Sequence, residues 1–376
     1  MSRPRFQYRP PNFAAPPLSG APDARFTPAP ADGVLPDGFF STTNLPTYVK
    51  LPGDWRRPRL PRMDCVIARS GDDLVTTEPR RVRRGDNVAM GSSEDGTEGI
   101  YVHAEGFLGR THSPNEFGFM QTEVSRERPV DYGVLAQLLG EEKQRGGKIL
   151  WVIGPALVHA RAREDMIWFI ENGYCQALLG GNAVAVHDLE AAIFGTTLGM
   201  SSSGEGVEGG HALHMRAINT VRRAGSIAAA VRQGIATSGI MHALVTRGVP
   251  YVLAGSIRDD GPLPDVIPDT LAAQDAMRAF TAVATFAVFV ATALHAIAVG
   301  NMLPAFVDAA DPADVRPLTT VCVDQTEFVV NKLRDRGTHQ AYGVVTNAQD
   351  FMHVLRFYVE RWQQATPVRT PAPSSR

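Results

Sequence analysis

Short apolar runs alternate with amphipathic segments from Tyr132 onward, and this alternation restricts the fold more than any other feature. Six runs have the length of buried strands: 148–155, 174–179, 250–255, 286–291, 319–324 and 341–345. The segments between and after them have helical periodicity: 161–172, 184–194, 211–233, 237–246, 269–283, 293–301, 326–336 and 348–363. Buried strands that alternate with helices predict an α/β protein, with a mostly parallel sheet covered on both faces over residues 131–364.

The part of the chain before this region has a different pattern. Between residues 31 and 130, short apolar runs are broken by Gly, Pro and Asp, which predicts a smaller β-rich subdomain. Residues 1–30 and 365–376 are rich in Pro and lack periodicity, so we expect disordered tails or, for the first, a strap along a neighbour. Four arginines form the densest positive charge in the chain, and we interpret them as an exposed strand edge in preference to a phosphate or nucleic-acid patch: Arg80, Arg81, Arg83 and Arg84.

Composition argues against several classes of protein. The 376 residues are 44% hydrophobic with a net charge of −2, so we expect a sizeable core and no nucleic-acid or membrane partner. The three cysteines are far apart, which argues against a zinc site or a disulfide framework and fits a reducing cytoplasm. Residues 1–17 contain no apolar segment, so we expect no signal peptide. The apolar stretch Phe280–Gly300 could span a membrane, but its threonines and His295 favour a soluble core.

The segment Leu178–Glu190 combines a strand end, a glycine turn and a helix start. Gly180 and Gly181 follow the apolar run, and Asn182 and Ala183 come just before the helical segment. This order directs free backbone N–H groups at an anion. The turn does not match the G-x-G-x-x-G pattern of ordinary dinucleotide sites, so it is weak support for a cofactor when taken alone.

Ligands of open parallel sheets bind beyond the carboxyl ends of the strands, where polar residues of this chain also gather. The positions concerned are Asn182, Ala183, Asp259, Asp260, Thr292, Ala293, Leu294, His295, Asp324, Asn347 and Ala348. Asp324 could bind the ribose hydroxyls or act as the N-cap of the following helix. Taken singly, Thr292 is typical of a helix cap, and His295 is typical of a histidine in the core. Their joint occurrence at one edge of the sheet favours a nucleotide site.

Proton transfer and substrate binding have several candidates. Asp259 and Asp260 are adjacent carboxylates, which suit proton transfer but also suit a turn locked by prolines. Arg216 and Arg258 can bind a substrate carboxylate through two parallel hydrogen bonds.

Other chemistries have less support. His211 and His214 are one helical turn apart, but no carboxylate stands at the spacing of a metal-binding helix, so we predict no metal. No G-x-S-x-G motif, P-loop or catalytic Cys–His pattern supports a hydrolase or a kinase.

Longer segments of the chain resemble those of one enzyme family. The matching segments are 31–47, 123–129, 180–199, 210–227, 237–269, 291–304 and 321–337, and they include GGNAVAVHDLEAAIFG and VCVDQTEF. On these segments the chain resembles the archaeal-type ornithine cyclodeaminases. Members of this family also form the C-terminal part of the bacterial arginine dihydrolases, and the family is named after lysine-ketoglutarate reductase/saccharopine dehydrogenase (LOR/SDH).

The resemblance implies a Rossmann-like, deoxyhypusine-synthase-like NAD-binding fold and a homo-oligomer. It implies NAD-dependent conversion of L-ornithine, or a related diamino acid, to L-proline, or a cyclic analogue, with release of ammonia. NAD contacts carried over by position would be Asn182, Ala183, Asp260, Thr292, Ala293, Leu294, His295, Asp324, Asn347 and Ala348. For the reaction we expect Asp188, Asp259 or His214 as the base and Arg258 or Arg216 as the clamp on the substrate carboxylate.

Departures from the family pattern leave other functions open. ATALH, CVDQT and VTNA stand where the family has ATMLH, CVDIN and VTDV, so Asn347 replaces a carboxylate near the cofactor. An extra acidic loop, DAADPADVRP, precedes Asp324. The alternatives are an NAD-dependent dehydrogenase or amine-forming enzyme on another amino acid, and a catalytically silent NAD-binding protein.

Overall fold

The computed structural model describes residues 8–107, 131–201, 203–259, 261–309, 315–335 and 340–366. Asp260 and the family-like segment 123–129 lie outside the described residues, as do residues 1–7 and 367–376 of the two predicted tails.

The first part of the chain is β-rich, as predicted. Its strands are β1 (Phe26–Pro28), β2 (Thr47–Leu51), β3 (Asp54–Arg56), β4 (Val66–Ser70), β5 (Asp73–Thr77), β6 (Asn87–Ala89) and β7 (Ile100–Val102). They form two antiparallel sheets with the orders β1-β6-β4-β5 and β3-β2-β7. Val49, Ile67 and Ile100 lie in one shared core with no exposed surface, so apolar residues from both sheets pack together.

Residues 8–30 are packed against this β-rich region, which corrects the prediction of a disordered tail. β1 pairs antiparallel with β6, and Leu18 is only 6% exposed beside Tyr48 and Trp55. Tyr8 is also buried and its ring lies 5.1 Å from that of Phe107. The many prolines hide any strand periodicity in this segment, but its few large apolar side chains still find partners in the core.

The second part is an α/β region built around a seven-stranded parallel sheet. Its strands are β8 (Ile149–Ile153), β9 (Ala177–Gly181), β10 (Tyr251–Ala254), β11 (Val266–Ile267), β12 (Phe286–Val290), β15 (Thr319–Asp324) and β16 (Gln340–Val345). A short antiparallel pair, β13 (Phe306–Val307) and β14 (Arg316–Pro317), precedes β15. The sheet order is β11-β10-β9-β8-β12-β15-β16, and all pairings are parallel.

Helices cover both faces of this sheet. They are α1 (Tyr132–Gln144), α2 (Ala156–His159), α3 (Arg163–Glu171), α4 (Asn182–Phe194), α5 (Leu213–Ala224), α6 (Ile227–Arg232), α7 (Ile240–Arg247), α8 (Thr270–Thr281), α9 (Ala293–Met302), α10 (Glu327–Asp335) and α11 (Ala348–Ala365). In β8, Trp151 packs into the core shared with α1, α3, α4, α7 and α11, whereas Leu150 and Val152 pack into the core shared with α8 and α9. This two-sided burial explains why the strands read as continuous apolar runs.

The strand order places a topological switch point at the centre of the sheet. From β8 the chain first adds β9 and β10 on one side, and it then returns to place β12 and β15 on the other side. The carboxyl ends of β8 and β12 therefore border a crevice, which is where open α/β sheets bind ligands. We could not predict this order from the sequence.

Most predicted elements are confirmed within two or three residues, with one clear exception. The helix expected over 211–233 is divided, because Gly225 has a φ of 95° and ends α5. Ser226 then begins α6, and its hydroxyl accepts a hydrogen bond from the N–H of Ala229.

The apolar stretch Phe280–Gly300 contains the end of α8, all of β12 and most of α9, as predicted. Among the described residues, no helix is both long and apolar enough to cross a membrane. Cys65, Cys175 and Cys322 are buried and free.

The arginine cluster that follows β5 lies between the two parts of the chain. Arg81 contacts both Glu78 and Asp275 of α8, and Glu78 also contacts Arg278. Arg80 donates to Gln274 of the same helix. Arg80 and Arg81 therefore join the β-rich region to α8, whereas Arg83 contacts Asp32 within the β-rich region and is 70% exposed.

Candidate functional site

Two strand ends approach each other very closely at the switch point. A Cβ atom added to Gly154, directly after β8, would overlap the carbonyl oxygen of Ala291, directly after β12. Ala291 has a φ of 54°, a conformation that is uncommon for residues other than glycine. The backbone at the floor of the crevice is therefore held in one arrangement that leaves no room for a side chain at residue 154.

Two of the helices that start at this edge, α4 and α9, have no side-chain cap within the described part of the chain. The first turn of α4 follows Gly181, and the first turn of α9 follows Thr292, whose hydroxyl makes no capping hydrogen bond. Their first backbone N–H groups are therefore available to an anion such as a diphosphate. The alternative role of Thr292 as a helix cap is not seen.

His295 links these two helix starts. A Cβ atom added to Gly181 would lie 2.8 Å from Cε1 of His295, so the imidazole of α9 reaches across the end of β8 to the start of α4. Burial lowers the pKa of His295, and the charge of Asp259 opposes this effect. His295 therefore lies within the candidate site, with its neutral form favoured.

Asn182 connects the start of α4 to the loop after β10. Its Nδ2 atom donates to Oδ1 of Asp259 over 3.3 Å, and its Oδ1 atom accepts from the N–H of Leu263 over 3.1 Å. Asp259 also accepts from the N–H of Ser256 over 2.8 Å. The Asp259 carboxylate thus fixes the shape of this loop, which is the structural alternative to its predicted role as a base.

The predicted carboxylate clamps are both accessible. Arg258 is exposed on the loop after β10, beside the fully exposed Ile257, and its backbone N–H donates to Oγ of Ser256 over 3.3 Å. Arg216 is exposed on α5.

The other half of the sheet edge carries Asp324 and Asn347. Oδ1 of Asp324 accepts hydrogen bonds of 3.0 Å from both the N–H and the hydroxyl of Thr326. Asn347 caps α11 by accepting from the N–H of Asp350 over 2.8 Å, and Ala348 is buried at the start of that helix. Asp324 and Asn347 therefore both stabilise local backbone structure. Asp324 uses only its Oδ1 atom for this purpose.

Asp188 does not lie free at the sheet edge. Its side chain has no exposed surface, and Oδ1 accepts from Nε of Arg163 over 2.7 Å. The two oxygens also accept from the N–H groups of Ile240 and Met241, at 2.9 and 2.8 Å. A base must reach the proton that it removes. The predicted catalytic role of Asp188 therefore has no support from this geometry, which is that of an anchor for α7.

The sequence places Glu190 on the first turns of α4, two residues after Asp188, but we did not count this buried carboxylate among the candidate catalytic residues. Glu190 has no exposed surface, and it accepts from Oγ1 of Thr196 and from the N–H groups of Leu198 and Gly199, at 3.0, 3.1 and 2.9 Å. Its Oε2 atom lies 3.2 Å from Nδ1 of His187. The three-residue spacing of His and Glu on one helical segment was a signal for this pair.

Two further motifs do not form sites. His211 lies in a 3-10 helix at Gly210–Ala212, before α5 begins, and no group of three metal-binding side chains occurs among the described residues. Contrary to our expectation that the chain has no G-x-G-x-x-G pattern, the string GEGVEG at 204–209 matches it, but this string lies in the loop between α4 and α5 and follows no strand.

Comparison with known families identifies this architecture. The model of the C-terminal Rossmann-fold region of arginine dihydrolase ArgZ-like proteins matches residues 133–355, and that of the first C-terminal region matches residues 46–134. The chain belongs to the ArgZ-like C-terminal family. The family's two regions correspond to the α/β region and the β-rich region, so the predicted family and the predicted Rossmann-like fold are confirmed.

Named relatives of this ArgZ-like chain include ornithine cyclodeaminases. One from Methanopyrus kandleri is 45% identical over 340 residues, which are 89% of this chain and 77% of the relative. A crystal structure of a conserved LOR/SDH-type protein from Methanococcus maripaludis is 40% identical, with a TM-score of 0.81 over 91% of this chain and 99% of that one.

The bifunctional arginine dihydrolase/ornithine cyclodeaminase AgrE of Nostoc sp. is a longer relative. Its structure as a ternary complex with ornithine and NAD+ is 35% identical, with a TM-score of 0.58 over 93% of this chain and 47% of that one. NAD binding therefore occurs within the ArgZ-like relatives.

Proposed function

We propose that this protein is an NAD-dependent ornithine cyclodeaminase that converts L-ornithine to L-proline and ammonia without net oxidation or reduction. The observation that carries the proposal is the AgrE complex with ornithine and NAD+, which is 35% identical over 93% of this chain. The Methanopyrus kandleri ornithine cyclodeaminase, at 45% identity, supports the same reaction.

The switch-point edge of the sheet fits a dinucleotide. The uncapped N-termini of α4 and α9, which begin at Asn182 and Ala293, would bind the diphosphate. Asp324 would hold ribose hydroxyls with Oδ2, the carboxylate oxygen that does not accept the hydrogen bonds from Thr326. The close approach at Gly154 leaves the crevice floor as bare backbone. When bound, NAD supplies hydride acceptance and return, which allows a reaction with no net redox change.

The residues of the chain would orient the substrate and move its protons. Arg258 or Arg216 would bind the α-carboxylate, because an exposed guanidinium offers two parallel N–H groups to it. Asp259 would hold the loop that carries Arg258, through its bonds to Asn182 and Ser256. We retain His214 as a candidate for proton transfer beside His187, because the charge of His214 contributes to lowering the pKa of His187.

The test begins with the cofactor and then turns to the substrate. The protein is denatured, the released cofactor is identified by mass spectrometry, and intact protein is incubated with L-ornithine, L-lysine and L-diaminobutyrate. We expect NAD, and equal amounts of proline and ammonia from ornithine, without accumulation of NADH. Accumulating NADH would instead identify a dehydrogenase, and bound NAD without turnover of any substrate would identify a catalytically silent NAD-binding protein.

Further predictions about the molecule stay open to direct measurement. We expect a homo-oligomer in the cytoplasm without nucleic-acid or membrane partners. Light scattering measures the oligomeric state, and cell fractionation tests the cytoplasmic location and the absence of a membrane partner.

A further inference from the structure

Two histidines from different helices meet beside Glu190, and a third lies near enough to affect the charge of one of them. His187 lies on α4, and its ring centroid is 4.5 Å from that of His159 at the end of α2, with the two planes inclined by 63°. His214 on α5 is close enough for its charge to lower the pKa of His187. These elements border the central strands of the sheet, because α2 follows β8 and α4 follows β9.

The contact with Glu190 fixes the tautomer of His187. Because the carboxylate can only accept, Nδ1 of His187 must carry the hydrogen of their 3.2 Å contact, and Nε2 is then an acceptor in the neutral ring. Glu190 is itself held by Thr196 and the backbone beyond it, so it cannot turn away. The Glu190 carboxylate thus holds the imidazole of His187 in one orientation, as the carboxylate does in catalytic His–carboxylate pairs.

Burial favours a neutral pair of rings. Burial is the main cause that lowers the pKa of His187, and its bond to Glu190 partly opposes this effect. Burial and the nearby His187 both lower the pKa of His159. Both effects favour the neutral form of each ring, and a neutral imidazole can accept a proton.

An unsatisfied atom in this cluster points to a ligand. Nδ1 of His159 is buried and has no hydrogen-bond partner among the described residues. Buried polar atoms nearly always have a partner, which includes a bound ligand or water. His187 also lies four residues after Ala183, on the same face of α4 and about 6 Å along its axis, at the edge where the cofactor would bind.

From this arrangement we infer that His187 is the proton-transfer residue of the proposed reaction and that Glu190 is its positioning residue. The inference rests on the proposed function. Nε2 of His187 accepts a proton from the substrate's α-ammonium group, and the electron pair of the broken N–H bond stays on nitrogen. The side-chain δ-amine of the substrate, which has lost its own ammonium proton to water, forms a new bond to Cα. The first proton then returns from His187 to the α-nitrogen, and the bond between Cα and this nitrogen breaks, so that its electron pair leaves with ammonia. The ring then regains its starting state.

The first experiment compares His187→Asn with wild type and with His353→Asn, a matched change at a side chain that is 76% exposed on α11. For His187→Asn we expect kcat on L-ornithine to fall about 10²- to 10⁴-fold, with KM and NAD affinity little changed. We expect His353→Asn to behave as wild type. If wild type makes no proline, the proposed function fails. If wild type is active and His187→Asn is equally active, the inference about His187 fails.

The second experiment tests Glu190 through the pH profile of kcat. The groups that face His187 are Glu190 on its own helix, His159 on α2 and His214 on α5. Because Glu190 raises the pKa of His187, Glu190→Gln should move the acid limb of the profile to lower pH and reduce kcat. If Glu190 had only a structural role, Glu190→Gln would lower the amount of folded enzyme but leave the position of the acid limb of the pH profile unchanged. That result would contradict the inference about Glu190.

A spectroscopic measurement on wild type covers the case in which Glu190→Gln does not fold. In ¹⁵N NMR spectra with labelled histidine, assigned with His187→Asn, His187 should show the Nδ1–H tautomer at neutral pH. An Nε2–H tautomer would overturn the inference, whatever activity the protein has.

Discussion

Arg163 donates a hydrogen bond from Nε to Oδ1 of Asp188 over 2.7 Å, and the same carboxylate accepts the first N–H groups of α7. This contact joins α3, α4 and the start of α7 beneath the candidate site. Breaking a buried ion pair by removing one charge leaves the other charge uncompensated.

Asp188→Asn should therefore act on stability and not on chemistry. We expect the free energy of unfolding to fall by about 3 kcal/mol, with kcat per folded molecule retained. Urea denaturation and assays of the folded fraction measure the two effects. Glu164→Gln is the control, because Glu164 is 74% exposed and its contact with Arg163 is long, at 3.5 Å. A large loss of kcat at unchanged stability would return Asp188 to the catalytic candidates.

Asp324→Asn separates ribose binding from helix capping. The amide oxygen of Asn can still accept from Thr326, so stability should hold, whereas a hydrogen bond from a ribose hydroxyl to a charged group would be lost. Such a bond contributes about 1.5–3 kcal/mol, so NAD affinity should fall at least about tenfold. Thr326→Ala is the converse control. It removes the hydroxyl that donates to Asp324, so stability should fall, whereas NAD affinity in a calorimetric titration should remain normal. Unchanged affinity in Asp324→Asn would refute the ribose assignment.

Gly154→Ala tests the close approach at the switch point. Because the new methyl group would meet the carbonyl oxygen of Ala291, the backbone must shift, and we expect a loss of about 1–3 kcal/mol together with weaker NAD binding. Gly300→Ala makes the same change in α9 where nothing lies within 4 Å of the new Cβ. It should be neutral or stabilise by about 0.5–1 kcal/mol. Equal effects of the two changes would contradict the described crevice.

Three partly or fully buried histidines should make stability depend on pH. Burial lowers the pKa values of His159, His187 and His295 below the ordinary 6.5. Each ring takes up a proton more readily in the unfolded chain, so stability is full above pH 6.5 and declines as pH falls towards the lowered values. Urea unfolding at about pH 7.5 and about pH 5.5 should show this loss.

The matched variants for this prediction are His295→Gln and His353→Gln. His295→Gln should reduce the difference between the two pH values, whereas the exposed His353→Gln should preserve it. A pH slope that is the same in both variants would show that His295 does not contribute.

The sequence predicts the strands and helices well where burial is two-sided. Ile149–Ile153 is apolar throughout because alternate residues face different helical layers, and that pattern is visible in the sequence alone. Strand order and the packing of residues 8–30 depend on contacts between distant segments, which periodicity does not report.

The candidate site shows the same division. The helix starts at Asn182 and Ala293 could be placed from the glycine turn and the strand end that precede them. The partners of Asp188 and Glu190 could not, because Arg163, Ile240 and Gly199 reach these carboxylates only after the chain has folded. Carboxylates one and three residues along α4 from His187 thus have different roles that their sequence positions do not separate.

The central claim is tested most directly with L-ornithine that carries deuterium at Cα. Because the proposed reaction removes the Cα hydride and returns it to the same carbon, proline formed in ordinary water should retain the deuterium at C2. The α-nitrogen should appear as ammonia, and no NADH should accumulate. Mass spectrometry of the proline that shows hydrogen from water at C2 would contradict this account, as would an α-keto acid formed together with deuterated NADH.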